Sequence, residues 1–292
     1  MEDPKNILLV VNPVSGDTNK DDVIRQAQEY TAQRGMQLKL YKTTGQNDKT
    51  QITDILNSFN AHRVLIAGGD GSIKLLAEVL RDREIPMGIL PTGSANGLAR
   101  NLDLPTQIGE ALDIALGNRL MDIDAICVDN HLCLHLSDLG LNAELIQHYE
   151  RGSVRGKLGY ALQSIPTLIE SDMPFTFEVS TDEGTFQQQG VLLVLANARQ
   201  YGTGAVINPW GKIDDGKFEV VIFKKFNIID ILKTLNENAE PSADFAESVS
   251  TAHAKIHCQQ PVPFQIDGEY CDEVQDIEVS ILHKHLKIAV GR

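Results

Sequence analysis

Three short turns concentrate the residues that could do chemistry. They are Asn12-Pro13-Val14-Ser15-Gly16, Gly68-Gly69-Asp70-Gly71-Ser72 and Pro91-Thr92-Gly93-Ser94-Ala95-Asn96. Each follows a short apolar run that reads as a buried strand, so all three fall at strand carboxyl ends, the edge where an open α/β sheet binds its ligands. Glycine lets backbone N–H groups approach phosphate oxygens, and a following helix adds its positive end. Ser15, Ser72, Thr92 and Ser94 add hydroxyl donors. Asp70 is the exception. A carboxylate among phosphate-binding amides makes sense if it holds a cation or a water on one, which assigns it to a magnesium–phosphate complex rather than to the fold. Each turn alone also reads as an ordinary βα connection; three on one edge favour phosphate binding. Neither GxxxxGK[ST] nor GxGxxG is present, which excludes the usual NTPase and dinucleotide fingerprints.

A second group lies further along. Asp267-Gly268-Glu269 stands between two alternating runs, and Asp214-Asp215-Gly216-Lys217 forms another polar turn. Both are plain hairpin turns by composition. Glu269 is also a general-base candidate, since a carboxylate within hydrogen-bond reach of a hydroxyl can take its proton. His131, Cys133, His135 and the pair His257-Cys258 lack the CxxC or HxxxH spacing of a zinc site, and there is no GxSxG nucleophile.

These turns together resemble the diacylglycerol kinase catalytic-domain family, which includes bacterial lipid kinases and sphingosine kinases. Gly68–Ser72 is similar to GGDGT, Pro91–Asn96 with Ala99-Arg100 to PxGTxNDxAR, and Asn12–Gly16 to NPxSG. Asn197 to Gly204 is similar to NGxxxGGG, Asp214–Gly216 to DDG, and Asp267–Glu269 to DGE. Six motifs in order cover nearly the whole chain. NAD kinases fit less well, because their second motif ends differently.

The resemblance implies an α/β N-terminal domain with a Rossmann-like parallel sheet of the NAD kinase and phosphofructokinase kind. An all-β sandwich C-terminal domain follows, with a cleft between the two. It implies transfer of the γ-phosphate of ATP to a hydroxyl of diacylglycerol or a related lipid. Nucleotide contacts fall to Asn12, Ser15, Gly16, Thr43, Gly68, Gly69, Asp70, Gly71, Ser72, Thr92, Gly93, Ser94 and Asn96, with Thr44 the alternative to Thr43. Glu269 and Asp70 are the catalytic residues. A Mg2+ ion falls to Asp215 with the carbonyls of Lys212 and Lys217, and a second Mg2+ arrives with ATP. Leu139–Ile146 and Leu158–Leu168 are candidate lining for an apolar lipid groove, although such stretches are more often core. The chain departs from the bacterial pattern GGDGTxNE at Lys74 and Leu75, and from NDxAR at Gly97, so two carboxylates are missing. A kinase of a soluble alcohol or nucleotide, and a binding protein without catalysis, stay open as alternatives.

Positioning these turns requires alternating strands and helices. The apolar runs Ile7–Val11, Val64–Ala67 and Met87–Leu90, with Met36–Tyr41, read as strands. Asp21–Arg34, Thr50–Phe59, Ser72–Arg81 and Ile108–Leu116 read as helices. That βα alternation predicts a parallel sheet with right-handed crossovers. From about residue 125 period-2 runs take over: His131–Leu136, Thr176–Val179, Val191–Leu195, Phe218–Phe223, Thr251–His257 and Ile277–Leu282. They predict an antiparallel sandwich, interrupted by helices at Lys157–Ile169 and Ile228–Asn236 and by a polar loop at Asn236–Glu247. The domains are 1–124 and 125–283, and the resemblance implies that a strand near 284–292 returns to the first.

Composition sets the outer limits. Of 292 residues, 42% are apolar and 23% charged, which excludes a disordered chain. The net charge of −14 and 5% aromatics exclude nucleic-acid binding by phosphate neutralisation or base stacking. No apolar run approaches the roughly 18 residues of a membrane span, and Glu2 and Asp3 precede a run too short for a signal peptide. A cytoplasmic protein with reduced cysteines is expected, touching a lipid at a membrane surface by peripheral contact; a homodimer is left open.

Overall fold

The computed structural model describes residues 4–143, 174–197, 211–224 and 246–291. The chain divides into two compact units, 1–124 with 284–292, and 125–283. In the first, β1 (Asn6–Val11), β2 (Gln37–Lys42), β3 (Arg63–Gly68) and β4 (Met87–Pro91) alternate with α1 (Lys20–Gln33), α2 (Asp48–Phe59), α3 (Asp70–Leu80), α4 (Gly97–Asn101) and α5 (Ile108–Ala115). The strands pair in the order β2-β1-β3-β4, all parallel. Ile288, near the end of β14 (Glu269–Ala289), pairs in parallel with Met87 and extends the sheet beyond β4.

Burial explains the sequence pattern. β3 and β4 are buried at every residue and β1 at all but Asn6, so they read as unbroken apolar runs, whereas the edge strand β2 is exposed or half-exposed along its length. Ile7, Leu9, Val11, Leu65 and Leu90 form one core with Val23 and Ala27 of α1 and Ala111, Leu112 and Ala115 of α5. Arg63 is buried at the start of β3. Its Nη1 donates to Ala115 O at 2.6 Å and its Nη2 to Gly117 O at 3.1 Å, so it satisfies the last carbonyl of α5 and one in the turn that follows. Burial pulls its pKa down to about 10.

The second unit is antiparallel. β7 (Leu136–Gly140), β10 (Leu192–Ala196), β11 (Phe218–Phe223) and β12 (Ala246–Thr251) pair in the order β7-β10-β11-β12. The long β13 (His253–Ile266) joins β7 through Phe264–Ile266 and β8 (Phe175–Thr181) through Ala254–Cys258. Register shifts between His257 and Val262 and again before Gln265 let one strand serve both layers. β9 (Gly184–Gly190) pairs with β8, while β5 (Leu120–Val128) pairs with β6 (His131–Cys133) and β14. Phe177, Val179, Leu193, Leu195, Phe218, Ile222, Ile256, Phe264 and Val279 are among the side chains that fill the sandwich core.

Some expectations change. His131–Leu136 is not one strand: the Asp267 carboxylate accepts the amides of Leu134 at 3.1 Å and His135 at 2.9 Å, which pulls the chain out of the ladder between β6 and β7. Ala246 and Glu247, expected in a polar loop, begin β12. The helices expected at 157–169 and 228–236 lie outside the described residues.

Arg63→Met leaves the Ala115 carbonyl at the end of α5 and the Gly117 carbonyl just past it without their donors. Loss of such partners in a buried place costs about 1–3 kcal/mol, so urea unfolding should show a lowered midpoint at unchanged slope.

Candidate functional site

The three glycine turns meet backbone to backbone at the carboxyl ends of β1, β3 and β4. Gly16 adopts φ 55°, and a Cβ there would lie 2.5 Å from Thr92 O. A Cβ on Gly93 would lie 2.3 Å from the Gly69 Cα, and one on Gly68 2.5 Å from Ser72. Real Cβ atoms do not approach so closely, so the first turn sits against the third and the third against the second only because these residues are glycine. Side chains tie the same loops. Asn12 Nδ2 donates to Ser72 Oγ at 3.0 Å, and Ser15 Oγ to Asn12 O at 3.1 Å. Asn96 grips Gly93 twice, accepting its N–H at 2.9 Å and donating to its carbonyl at 2.8 Å. Thr92 is buried, and its Oγ1 has no hydrogen-bond partner among the described residues. Gly71 and Ser94 are exposed at the rim. Thr43 N–H donates to Val11 O at 2.9 Å, which sets the end of β2 beside Asn12. Thr44, the alternative, belongs instead to a turn closed by Asp48, which accepts its amide at 2.9 Å and that of Gly45 at 2.8 Å.

Asp70 does more than the sequence reading assigns it. Its Oδ2 accepts Gly97 N–H at 2.9 Å and its Oδ1 accepts Leu98 N–H at 3.0 Å. Helix α4 has no cap from its own N-cap residue, Asn96 at φ 53°, so the carboxylate closes that end from the neighbouring turn. The reading of Asp70 as apart from the fold is therefore corrected: it joins the second turn to the third. Lys74 and Leu75, at the positions where the resemblance leads one to expect Asn and Glu, are half-buried on α3.

One residue is new. Lys20 opens α1, is 8% exposed, and donates its ammonium to Ser15 O, to Thr18 O at 3.0 Å and to Thr92 O at 3.3 Å. It clamps the first turn to the third. Loss of hydration lowers its pKa, opposed by the nearby Asp17. A cation at a helix N-terminus runs against the macrodipole, and that mismatch is the signal in the sequence.

The remaining candidates belong to the second unit. Asp267 at φ 52° and Gly268 at φ 87° form a two-residue hairpin loop between β13 and β14, with Ile266 and Glu269 paired across it. Glu269 is exposed at the first position of β14. Asp215 sits in an exposed turn where its Oδ1 accepts Lys217 N–H at 3.1 Å, with Lys212 exposed nearby in the chain. That leaves Oδ2 and the turn carbonyls, oxygen donors of the kind Mg2+ takes. Leu139, Leu141 and Ala143, expected as groove lining, are buried, Leu139 in the sandwich core. Residues 144–146, 158–168 and 198–204 lie outside the described residues. Among the described residues, no helix is long and apolar enough to cross a membrane.

A parallel sheet with glycine turns packed at its carboxyl edge, continued by a sandwich with an exposed carboxylate hairpin, matches known proteins throughout. The family model of the diacylglycerol kinase catalytic domain matches residues 6–128, and that of the YegS C-terminal NAD kinase beta sandwich-like domain matches residues 138–290. The chain is 27% identical over 257 residues to the "Probable lipid kinase YegS-like" of Chromohalobacter salexigens, covering 85% of this chain and 82% of that one. It is 25% identical over 269 residues to the "Probable lipid kinase YegS" of Salmonella typhimurium, covering 90% and 88%. A crystal structure from Bacillus anthracis, named as a diacylglycerol kinase, superimposes with a TM-score of 0.78 at 18% identity, covering 100% of this chain and 98% of that one. The chain belongs to the family defined by these two domains, a diacylglycerol kinase catalytic domain followed by the YegS C-terminal β-sandwich.

Asp70→Asn should cost stability as well as any activity. One of the two α4 amides would face an NH2 group, and loss of a cap costs about 0.5–2 kcal/mol; thermal unfolding reads this directly. Lys20→Met should release the first turn, seen as faster amide exchange at residues 15–18 with the β3 amides still protected.

Proposed function

We propose that the protein transfers the γ-phosphate of ATP to a hydroxyl of diacylglycerol or a similar lipid. The observation that carries this reading is the backbone packing of Gly16, Gly69 and Gly93, which leaves amide-rich turns and the N-termini of α1 and α3 at one sheet edge. Such an edge suits the phosphates of a nucleotide. The buried Thr92 Oγ1, without a partner among the described residues, and the exposed Ser94 offer further polar contacts. Magnesium would arrive with ATP and neutralise charge on its phosphates, and Asp215 with the Lys212 and Lys217 carbonyls would hold a separate Mg2+. Relatives named as probable lipid kinases support a lipid acceptor.

In this reading Glu269 takes the proton of the acceptor hydroxyl. The hydroxyl oxygen bonds to the γ-phosphorus, the bond from that phosphorus to the β–γ bridging oxygen breaks, and ADP leaves with the electron pair. Glu269 suits the role because it is exposed on a hairpin whose Asp267 is anchored by two amides. The protein would work from the cytoplasm and meet its lipid by peripheral contact.

A binding protein without catalysis is the second reading. It is favoured by the engagement of both Asp70 oxygens with α4 and by the absence of carboxylates at Leu75 and Gly97.

Labelled ATP, magnesium and diacylglycerol vesicles separate the two. Label in the organic phase is expected for the wild type. Glu269→Gln should lose about 10²–10⁴-fold in turnover, the usual worth of a positioned base, with nucleotide affinity unchanged. Nucleotide binding without label in any lipid selects the second reading.

A further inference from the structure

The hairpin that carries Glu269 rests on a buried polar chain. Asp138, in the middle of β7, and Gln265, on β13, are cross-strand partners, 1% and 0% exposed. Asp138 lies on the face of its layer away from Leu139, beside Val194 of β10 and the apolar Leu136, Ala196 and Val221. An acid in such surroundings must be engaged to be tolerated. Its Oδ2 accepts the Gln265 Nε2 group and also Asn142 Nδ2 at 2.6 Å. With its NH2 held by Asp138, Gln265 turns its carbonyl the other way, and Oε1 accepts Gly268 N–H at 2.7 Å. Gly268 immediately precedes Glu269.

We propose that Asp138 is a positioning residue: by fixing which end of the Gln265 amide faces the hairpin, it sets the backbone at Gly268 and so the place of Glu269. This deepens the kinase reading above and rests on it. The chemistry of the pair supports the assignment. A carboxylate only accepts, so it imposes one orientation on a neighbouring amide, whereas an apolar residue imposes none. The other Asp138 oxygen, Oδ1, is buried with no partner among the described residues. Burial pushes the carboxyl up to about 7. A proton taken up there goes to Oδ1, and both side-chain bonds at Oδ2 survive. The charge is thus dispensable while the acceptor is not. Among the described residues, no ionic partner of Asp138 is present on β10, β13 or the turn at Asn142, where its neighbours are Val194, Gln265 and Asn142 themselves. A second support comes from the rest of the turn. Asp267 N–H donates to Leu136 O at 2.9 Å and Ser137 Oγ to Gln265 O at 2.6 Å, so the same stretch of β7 holds the hairpin at each residue.

The test uses the full chain with Asp138→Leu, Asp138→Asn and Gln265→Met, the last keeping shape if the first fails to fold. Two readouts are taken, lipid phosphorylation with ATP, and amide exchange at Gly268. Gln265→Met and Asp138→Leu should each lower kcat about 10–10²-fold, the scale of a misplaced catalytic group, with KM for ATP within twofold of wild type and Gly268 exchange accelerated tenfold or more. Asp138→Asn keeps an acceptor and should stay within threefold of wild type. The Asp138→Leu/Gln265→Met double variant should be no slower than either single one, since both break one chain. Unchanged Gly268 exchange in Gln265→Met overturns the relay in an active enzyme. So does an Asp138→Asn enzyme as slow as Asp138→Leu, or a KM for ATP that rises with the loss of kcat. A wild-type protein that labels no lipid overturns the kinase reading, and the positioning role with it, whatever Gly268 does.

Discussion

Everything proposed for the first unit depends on one steric fact: three turns touch through their main chains. Gly16 lies on Thr92 and Gly93, and Gly93 on Gly69, at separations that leave no room for a Cβ. Contact of this kind removes side chains from between the loops and leaves amides at the surface. It also demands that the loops be held, since glycine is the residue that loses most freedom on ordering. The holding is polar and comes from outside the glycines. Lys20 binds the first turn to the third, Asp70 the second to the third, and Asn12 the first to the second. Each pair of loops has its own tie.

This arrangement explains what was legible in the sequence. Turn residues announce themselves by type, so Gly16, Gly68, Gly69 and Gly93 could be chosen from the chain alone. What the ties hold could not. Lys20 leaves one local trace, a cation at the start of a helix, and its three carbonyl partners lie on two loops. Asp70 and Gly97 are distant in sequence, so the capping of α4 by Asp70 is a tertiary event with no local trace. The sequence names the parts that approach and hides the parts that pull.

The strands follow the same logic. β1, β3 and β4 are buried on both faces and read as apolar runs, and Phe218–Phe223 coincides with β11 residue for residue. β9, with Gly184 and three consecutive glutamines, is mostly exposed and carries no apolar signal. β13 was legible only to His257, because Pro261 and Pro263 read as stops. The register shifts there accommodate them and carry the strand from one layer to the other. The polar pair Asp138 and Gln265 was invisible for a related reason: each lies in a strand of buried neighbours, and only the cross-strand register joins them.

The return of β14 to the first unit has a consequence for the order of assembly. The residue that pairs with β4 lies some 200 positions after it, beyond the entire second unit. During synthesis the first four parallel strands emerge early, yet the β4 edge keeps open backbone groups until the 284–289 stretch leaves the ribosome. Such an edge is a template for pairing with other chains. The second unit, which spans residues 125–283, has all of its residues before the first one does. The unit begun first is the one finished last, and the newborn chain is exposed to mispairing at β4 from the emergence of that strand almost to the end of translation.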